Sequence, residues 1–344
     1  MSSFTRSTFW IKLRHWEYWP WWLFYAPIFV YWLWCGLKVR AIFYISAANP
    51  GFEHGGIVSA SKKAILDMLP PQLVPNGILI NSTESAIRII QVMESRNLNF
   101  PVVAKPDIGE RGFRVELINT IDELIDYLPS NEEQIIIQEY IDLPLELGIF
   151  YIRIPDEESG TVTSVVIKGM MQVKGDGVST IRQLMEKEDR SKLQINRLEA
   201  LAIIDLRQIP KPDEVVLLEP IGNHNRGTAF LNGNHLINQR LIEVIDRLSC
   251  SIEGFYYGRY DLRCSDQEAL YAGNFKILEL NGSASEPAHI YAPGYPLYQG
   301  YKDLFFHWKL LYKISKMNHE KGVPYMPLLK GIAALKKSRF AKRS

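Results

Sequence analysis

The order of elements along the chain predicts an α+β fold of two lobes with a cleft between them. Three observations carry that prediction. Apolar, β-branched runs come in pairs across short loops, capped helical segments stand between the pairs, and neither an internal repeat nor a long linker interrupts the core. At 344 residues, 47% hydrophobic and 22% charged, the chain can bury one large core or two to three smaller ones.

Each element follows from local chemistry. Ser61 to Leu69 reads as a helix stopped by Pro70 and Pro71. "GILINS" is a strand, and Ser82 or Thr83 caps a helix running to about Arg96. "FPVVAKP" and "FRVELI" make a hairpin around "DIGERG", and Thr120 caps the helix "IDELIDYL". "EQIIIQEYI" is a strand ending in charge. "GIFYIRIP" and "TSVVIKGMMQVKG" pair antiparallel around the loop from Asp156 to Gly160. A helix follows Ser179 and Thr180, and a longer one covers Asn238 to Cys250. "FYYGRYDLRCS" and "NFKILELNG" form the last pair.

Charge and cysteine usage exclude several classes. The net charge of +1 gives no nucleic-acid signal. Cys35, Cys250 and Cys264 are few and unclustered, which argues for a reducing compartment and against a disulfide framework or a zinc site. The ends are unusual. Trp19 to Leu37 runs without a charge, with Lys12 and Arg14 before it and Lys38 and Arg40 after it. That length just spans a bilayer core, its Trp and Tyr density suits an interface, and Pro20 and Pro27 bend it. The expectation is membrane attachment, as a span or a monotopic insertion; a helix packed on the protein's own core is the alternative. After Glu320 there is no acid, and Lys330, Lys336, Lys337, Arg339, Lys342 and Arg343 suit anionic lipid as well as they suit a solvated tail.

Four pieces carry chemistry. Lys105 ends an apolar strand just before a loop bearing Gly109 and Gly112; glycines let backbone amides approach a phosphate while the lysine adds charge. Hairpin loops are often glycine-rich, and a plain hairpin is the more ordinary account of the loop by itself. "IIIQEYI" ends in Glu139, whose strand-end backbone suits an adenine edge, and Glu146 is in reach of ribose hydroxyls; surface carboxylates are the plainer account of each. Arg259 and Asp261 share one strand face, as do Glu279 and Asn281 on the next strand. Asp261, Glu279 and Asn281 are hard oxygen donors that suit one or two Mg²⁺, with a solvated strand end and an Asn-Gly turn as the alternative.

In that order these pieces resemble the ATP-grasp superfamily over roughly residues 59–296. "VVAKPDIGERGFRV" looks like its phosphate loop, "IIQEYIDLPLELG" its hinge, and "SKKAILDML" the helix supplying an earlier lysine, here Lys62 or Lys63. The resemblance implies that Lys105, Gly109, Gly112, Glu139, Tyr140, Ile141, Glu146 and Lys168 bind ATP. It implies that Asp261, Glu279 and Asn281 hold Mg²⁺, with Mn²⁺ as the alternative. "GRYD" followed by "LELNGS" is similar to D-alanine–D-alanine ligases, which gives Arg259 the acyl-phosphate. "VKGDGVSTIRQLM" and "GNHNRGTAF" look like cyanophycin and glutathione synthetases, which puts Asn225, Arg226, Gly227 and Thr228 on the substrate side and makes Lys105, Lys168 and Arg259 the catalytic cations.

Two departures leave the substrate open. No full α/β domain precedes the core, and "GSASEP" replaces the usual Pro-Gly-Met turn, with Ser283 and Ser285 as acceptor contacts or turn formers. The expected activity is an ATP-dependent carboxylate–amine ligase acting through an acylphosphate on small-molecule or peptide amino-acid substrates. The alternatives are a kinase acting on a hydroxyl and a membrane-tethered binding module without turnover. His224 is either a proton-transfer group or a loop histidine. The division expected is 1–58 membrane-associated segment, 59–100 N-terminal α/β part, 101–148 small ATP-binding lobe, 149–300 large lobe and 301–344 helical basic tail. The expected address is the cytoplasmic face of a membrane, or the cytoplasm if the N-terminal helix only packs on the core.

Overall fold

A computed structural model of the chain describes residues 10–340 except 12, 14, 59, 110–111, 129–133, 202–203 and 224–225. Lys12, Arg14, His224, Asn225, Lys342 and Arg343 therefore lie outside the described residues. In chain order the main elements are α1 (Ala26–Val39), α2 (Lys62–Leu66), β1 (Gly77–Asn81), α3 (Ala86–Ser95), β2 (Val102–Pro106), β3 (Glu116–Ile118), α4 (Ile121–Tyr127) and β4 (Gln134–Glu139). Then come β5 (Leu145–Ile152), β6 (Thr161–Gly169), β7 (Gln172–Lys174), α5 (Ile181–Glu186), α6 (Ile195–Leu201), β8 (Val215–Leu217) and β9 (Ala229–Asn232). The chain ends with α7 (Gln239–Cys250), β10 (Tyr257–Cys264), α8 (Gln267–Ala272), β11 (Phe275–Asn281), α9 (Leu297–Glu320) and α10 (Leu328–Phe340).

Caps account for most helix starts. Ser61, Thr120, Thr180 and Asn238 each accept the backbone N–H three residues on. Gln183 also reaches back to the Thr180 amide, completing a capping box. The expected cap of α3 is corrected: Ser85, not Ser82 or Thr83, takes the Arg88 amide. Glu84 receives the Asn81 amide, and that turn delays the helix by two to three residues.

Two sheets form the lobes. The smaller has the order β1-β4-β2-β3 and packs α3 and α4 on one side through Ile89, Met93, Leu124, Ile135 and Ile137. β1 is thus a member of the small lobe rather than of a part preceding it. The larger sheet has the order β11-β10-β5-β6-β9. Its back buries Leu147, Ile149, Tyr260, Leu262 and Ile277 against Leu241 and Ile245 of α7 and Leu270 of α8. A third, small cluster joins β7 and β8 to α5 and α6.

The front of the large sheet is divided. Its far end, Phe150, Ile152 and Tyr257, is covered by Cys35 of α1, Tyr44, and Leu311 and Ile314 of α9. α9 is therefore a core helix, not the tail expected from 301 onward. The near end stays polar and faces the small lobe. Among the described residues no helix is long and apolar enough to cross a membrane; α1 has 14 residues, and one of its sides is core.

Candidate active site

The polar end of the large sheet is built by alternation. On β10, Tyr260, Leu262 and Cys264 point into the core, so Arg259, Asp261 and Arg263 point the other way. Register places Asn281 opposite Arg259, Glu279 opposite Asp261, Gly148 opposite Asp261 and Glu146 opposite Arg263. Gly148 is required there. A Cβ would lie 2.7 Å from Val166 Cγ1, 3.1 Å from Asp261 Oδ1 and 3.3 Å from Arg259 Cδ.

Burying this many charges demands pairing. Lys168 Nζ donates to Glu146 Oε1 at 2.9 Å and lies 3.7 Å from Asp261 Oδ2. Arg263 Nε donates to Glu146 Oε2 at 2.7 Å, and Arg259 grips Asp261 with Nε at 2.9 Å and Nη2 at 3.2 Å. Burial pushes the Glu146 and Asp261 carboxyls up, but Lys168 with Arg263 and Arg259 with Lys168 outweigh it and hold both below the usual range. Burial likewise pushes Lys168 down, and Asp261 and Glu146 together raise it above its ordinary value.

The small lobe contributes Lys105 and its loop. Between Asp261 and Leu262 the β10–β11 register slips, Asp261 facing Glu279 and Leu262 facing Ile277, so Leu278 is a bulge residue. Its carbonyl accepts from Lys105 Nζ at 3.1 Å, which ties the lobes together across the cleft. Burial lowers the Lys105 ammonium to about 8, opposed by the charge of Glu279 and reinforced by that of Lys62. Of the two candidate lysines, Lys62 is the one at the loop: its Nζ donates to the carbonyls of Pro106, Asp107 and Gly109 at 3.1, 3.1 and 2.8 Å. Lys63 pairs with Asp67 on the surface.

The far side of the loop meets the segment over 219–228. Arg226 Nη2 donates to the Gly112 carbonyl at 3.0 Å, and a Cβ on Gly112 would come within 2.1 Å of Asn223 Nδ2. Glu219, which sequence reasoning missed, anchors this contact: Arg197 Nη2 lies 2.9 Å and Arg226 Nη1 3.6 Å from its carboxylate. Its one signal was a glutamate ending an apolar run, the signal that also marked Glu139.

Several expected roles are revised by these contacts. Glu146 is a buried counter-ion of Lys168 and Arg263, closed in by Gly222, where a Cβ would meet Oε1 at 2.3 Å. Thr228 is buried, accepting the Asn223 amide at 2.9 Å, and organises its own loop instead of lining a pocket. Gly227 takes φ +101° with Met171 Sδ 2.5 Å from where a Cβ would stand. Ser283 Oγ donates to Gly55 O at 2.7 Å and Ser285 Oγ to Gly282 O at 2.6 Å, so both hydroxyls hold the turn. At the hinge, Glu139 is exposed and accepts the Asn76 amide at 3.2 Å, while Arg263 Nη1 donates to the Ile141 carbonyl at 2.7 Å and stacks 5.5 Å from the Tyr140 ring.

Glu286 is a second residue the sequence left unmarked. Burial pushes its carboxyl up to about 7, against a hydrogen bond donated by Tyr291 Oη at 2.9 Å. Its carbonyl oxygen lies 3.5 Å from Arg259 Nη1, so it borders the charged face. Tyr291 is held by Trp16, with ring centroids 5.6 Å apart, and by the Tyr25 hydroxyl at 3.3 Å. The N-terminal aromatic segment thus walls this side of the site.

The RimK-like ATP-grasp domain model matches residues 64–245, just over half of the chain. Among solved structures, the D-alanine–D-alanine ligase of Bacillus anthracis is 16% identical over 76% of this chain and 69% of its own, with a TM-score of 0.43. The VanG D-Ala:D-Ser ligase of Enterococcus faecalis is 15% identical over 73% and 61%, with a TM-score of 0.40. The bifunctional glutathione synthetase of Pasteurella multocida is 16% identical over 71% of this chain, with a TM-score of 0.37, and the chain spans 35% of its length. No match was found among curated proteins. With its Lys105 loop and polar sheet face set across one cleft, the chain belongs to the RimK-like ATP-grasp family.

Proposed function

We propose that the protein is an ATP-dependent carboxylate–amine ligase. The observation that supports this reading is the set of largely buried cations, Lys105, Lys168 and the half-buried Arg259, gathered with Asp261, Glu279 and Asn281 between the lobes. ATP is the co-substrate. Its γ-phosphoryl group passes to an oxygen of a substrate carboxylate, releasing ADP; an amine nitrogen then attacks the acyl carbon, and the C–O bond to phosphate breaks. Both steps concentrate negative charge, and preorganised cations are the effective catalyst for such charge.

The residues divide that work. Lys105 faces the glycine loop and holds phosphate charge. Arg259 spends two donors on Asp261 and reaches the Glu286 carbonyl only at 3.5 Å, so guanidinium N–H groups remain for the acyl-phosphate oxygens. Glu286, whose carboxyl burial pushes up to about 7, accepts in its ionised form the proton that the attacking amine loses. Two carboxylates and an amide oxygen on one face are donors that fit a hard divalent cation; Asp261, Glu279 and Asn281 would hold Mg²⁺, which would neutralise nucleotide phosphate charge. Among the described residues Glu279 makes no ion pair, which leaves it the carboxylate most ready for a metal.

The test is ATP turnover with Mg²⁺ and pooled amino acids, dipeptides or envelope-precursor extract, with hydroxylamine as the acyl-phosphate trap. Pool-dependent release of ADP and phosphate with a trapped hydroxamate is expected, and Glu279→Gln is expected to lower it by about 100-fold or more. A phosphorylated hydroxyl product, or nucleotide binding without turnover in every pool, would sink the reading.

A further inference from the structure

The N-terminal helix has a side that the fold does not use. On α1 the residues Ile28, Tyr31, Trp32 and Cys35 turn toward α9 and the sheet. At 3.6 residues per turn the opposite arc carries Phe29, Val30, Leu33, Trp34 and Leu37, and all five are exposed. Val30 is 69%, Trp34 50% and Leu37 73% exposed. A surface helix normally turns polar residues outward, and this one turns out none until Lys38. Trp21 and Trp22, just before it, are exposed as well.

α10 repeats the pattern. Gly331 packs against Phe43, where a Cβ would come within 2.3 Å of Cδ2, and Ala334 is buried. The outer side shows Leu328, Leu329, Ile332 and Leu335, with Leu329 82% exposed. Phe43 also pairs with Met326, so the same residue joins the end of α1 to the start of α10.

We propose that these two helix faces seat the protein on the surface of an anionic lipid bilayer, without crossing it. Three features select that occupant over another protein. Three tryptophans, Trp21, Trp22 and Trp34, are exposed on or just before the arc, and the indole ring suits the level of the headgroups. The charges at the end of α1 and those within α10 are positive: Lys38 stacks its ammonium 3.3 Å over the Trp34 ring, and Lys330 and Lys336 flank the α10 leucines, in a stretch with no acid after Glu320. Finally, a helix of 14 residues with one side in the core is too short to span yet deep enough to lie in the interface. The catalytic cleft is formed by other residues, so this seating stands or falls apart from the ligase reading.

Flotation of the full chain with phosphatidylcholine vesicles, and with vesicles containing phosphatidylglycerol, tests this. Wild type is expected to float with the anionic vesicles and to release as salt rises. Trp34→Ser with Leu37→Ser is expected to lower binding by at least about tenfold, and Lys336→Glu by about fivefold. Brominated acyl chains are expected to quench tryptophan fluorescence of the unaltered protein, a readout independent of how the variants fold. Absence of flotation and quenching would overturn the proposal. So would a concentration-dependent dimer, abolished by the same substitutions, in analytical ultracentrifugation.

Discussion

Glu286 shows how much one side chain's meaning depends on what surrounds it. In sequence it is one glutamate of "GSASEP"; in the fold, burial pushes its carboxyl up to about 7, while its backbone carbonyl lies 3.5 Å from Arg259 Nη1. If it takes the amine's proton, the rate should climb as pH rises through about 7, where the carboxylate forms. Glu286→Gln is expected to remove that limb and lower kcat about 10- to 100-fold with little change in KM for ATP, measured as kcat against pH. The stability sign is opposite. A carboxyl raised from 4.5 to about 7 stabilises fully below 4.5, and that contribution is lost as pH rises through about 7. The glutamates at 146, 219 and 286 could not be sorted by sequence alone, because the discriminating facts are their partners: Lys168 with Arg263, Arg197 with Arg226, and Tyr291.

At the scale of elements the alternation of β10 was legible and its neighbours' packing was not. Period two puts Arg259 and Asp261 on one face whatever lies opposite. That they grip each other, and that Gly148 leaves the room, depends on β5 lying alongside. Gly148→Ala is expected to cost about 1–3 kcal/mol in urea unfolding and to depress turnover more than nucleotide affinity, because the added methyl displaces the Arg259–Asp261 pair. Unchanged stability together with unchanged turnover would show that Val166 yields instead. The α3 cap was misplaced by two to three residues because Ser82, Thr83 and Ser85 have the same intrinsic capping chemistry. Glu84 decided among them by turning back to the Asn81 amide.

At the scale of the whole molecule, α9 locks the covered end of the large sheet through His307. Its Nε2 meets Thr163 Oγ1 at 2.9 Å and its Nδ1 the Asp303 carbonyl at 2.7 Å. Burial lowers this imidazole from 6.5 to about 4, helped by nearby His289 and opposed by the hydrogen bond and charge of Asp303. A depressed histidine contributes stability that is whole above 6.5 and is lost as pH falls through about 4. Comparing wild type with His307→Gln by urea unfolding is expected to isolate roughly 3 kcal/mol of pH-dependent stability across that window. Parallel pH curves for the two proteins would refute it. By itself the sequence determined the α+β class, the strand pairs and most caps, because these follow from local periodicity and residue chemistry. Only the tertiary structure decided which acids are counter-ions, which serines merely hold a turn, and that the charge-free N-terminal run is half core and half exposed. Those outcomes depend on what lies across a sheet or helix face, and chain order does not encode distance in space.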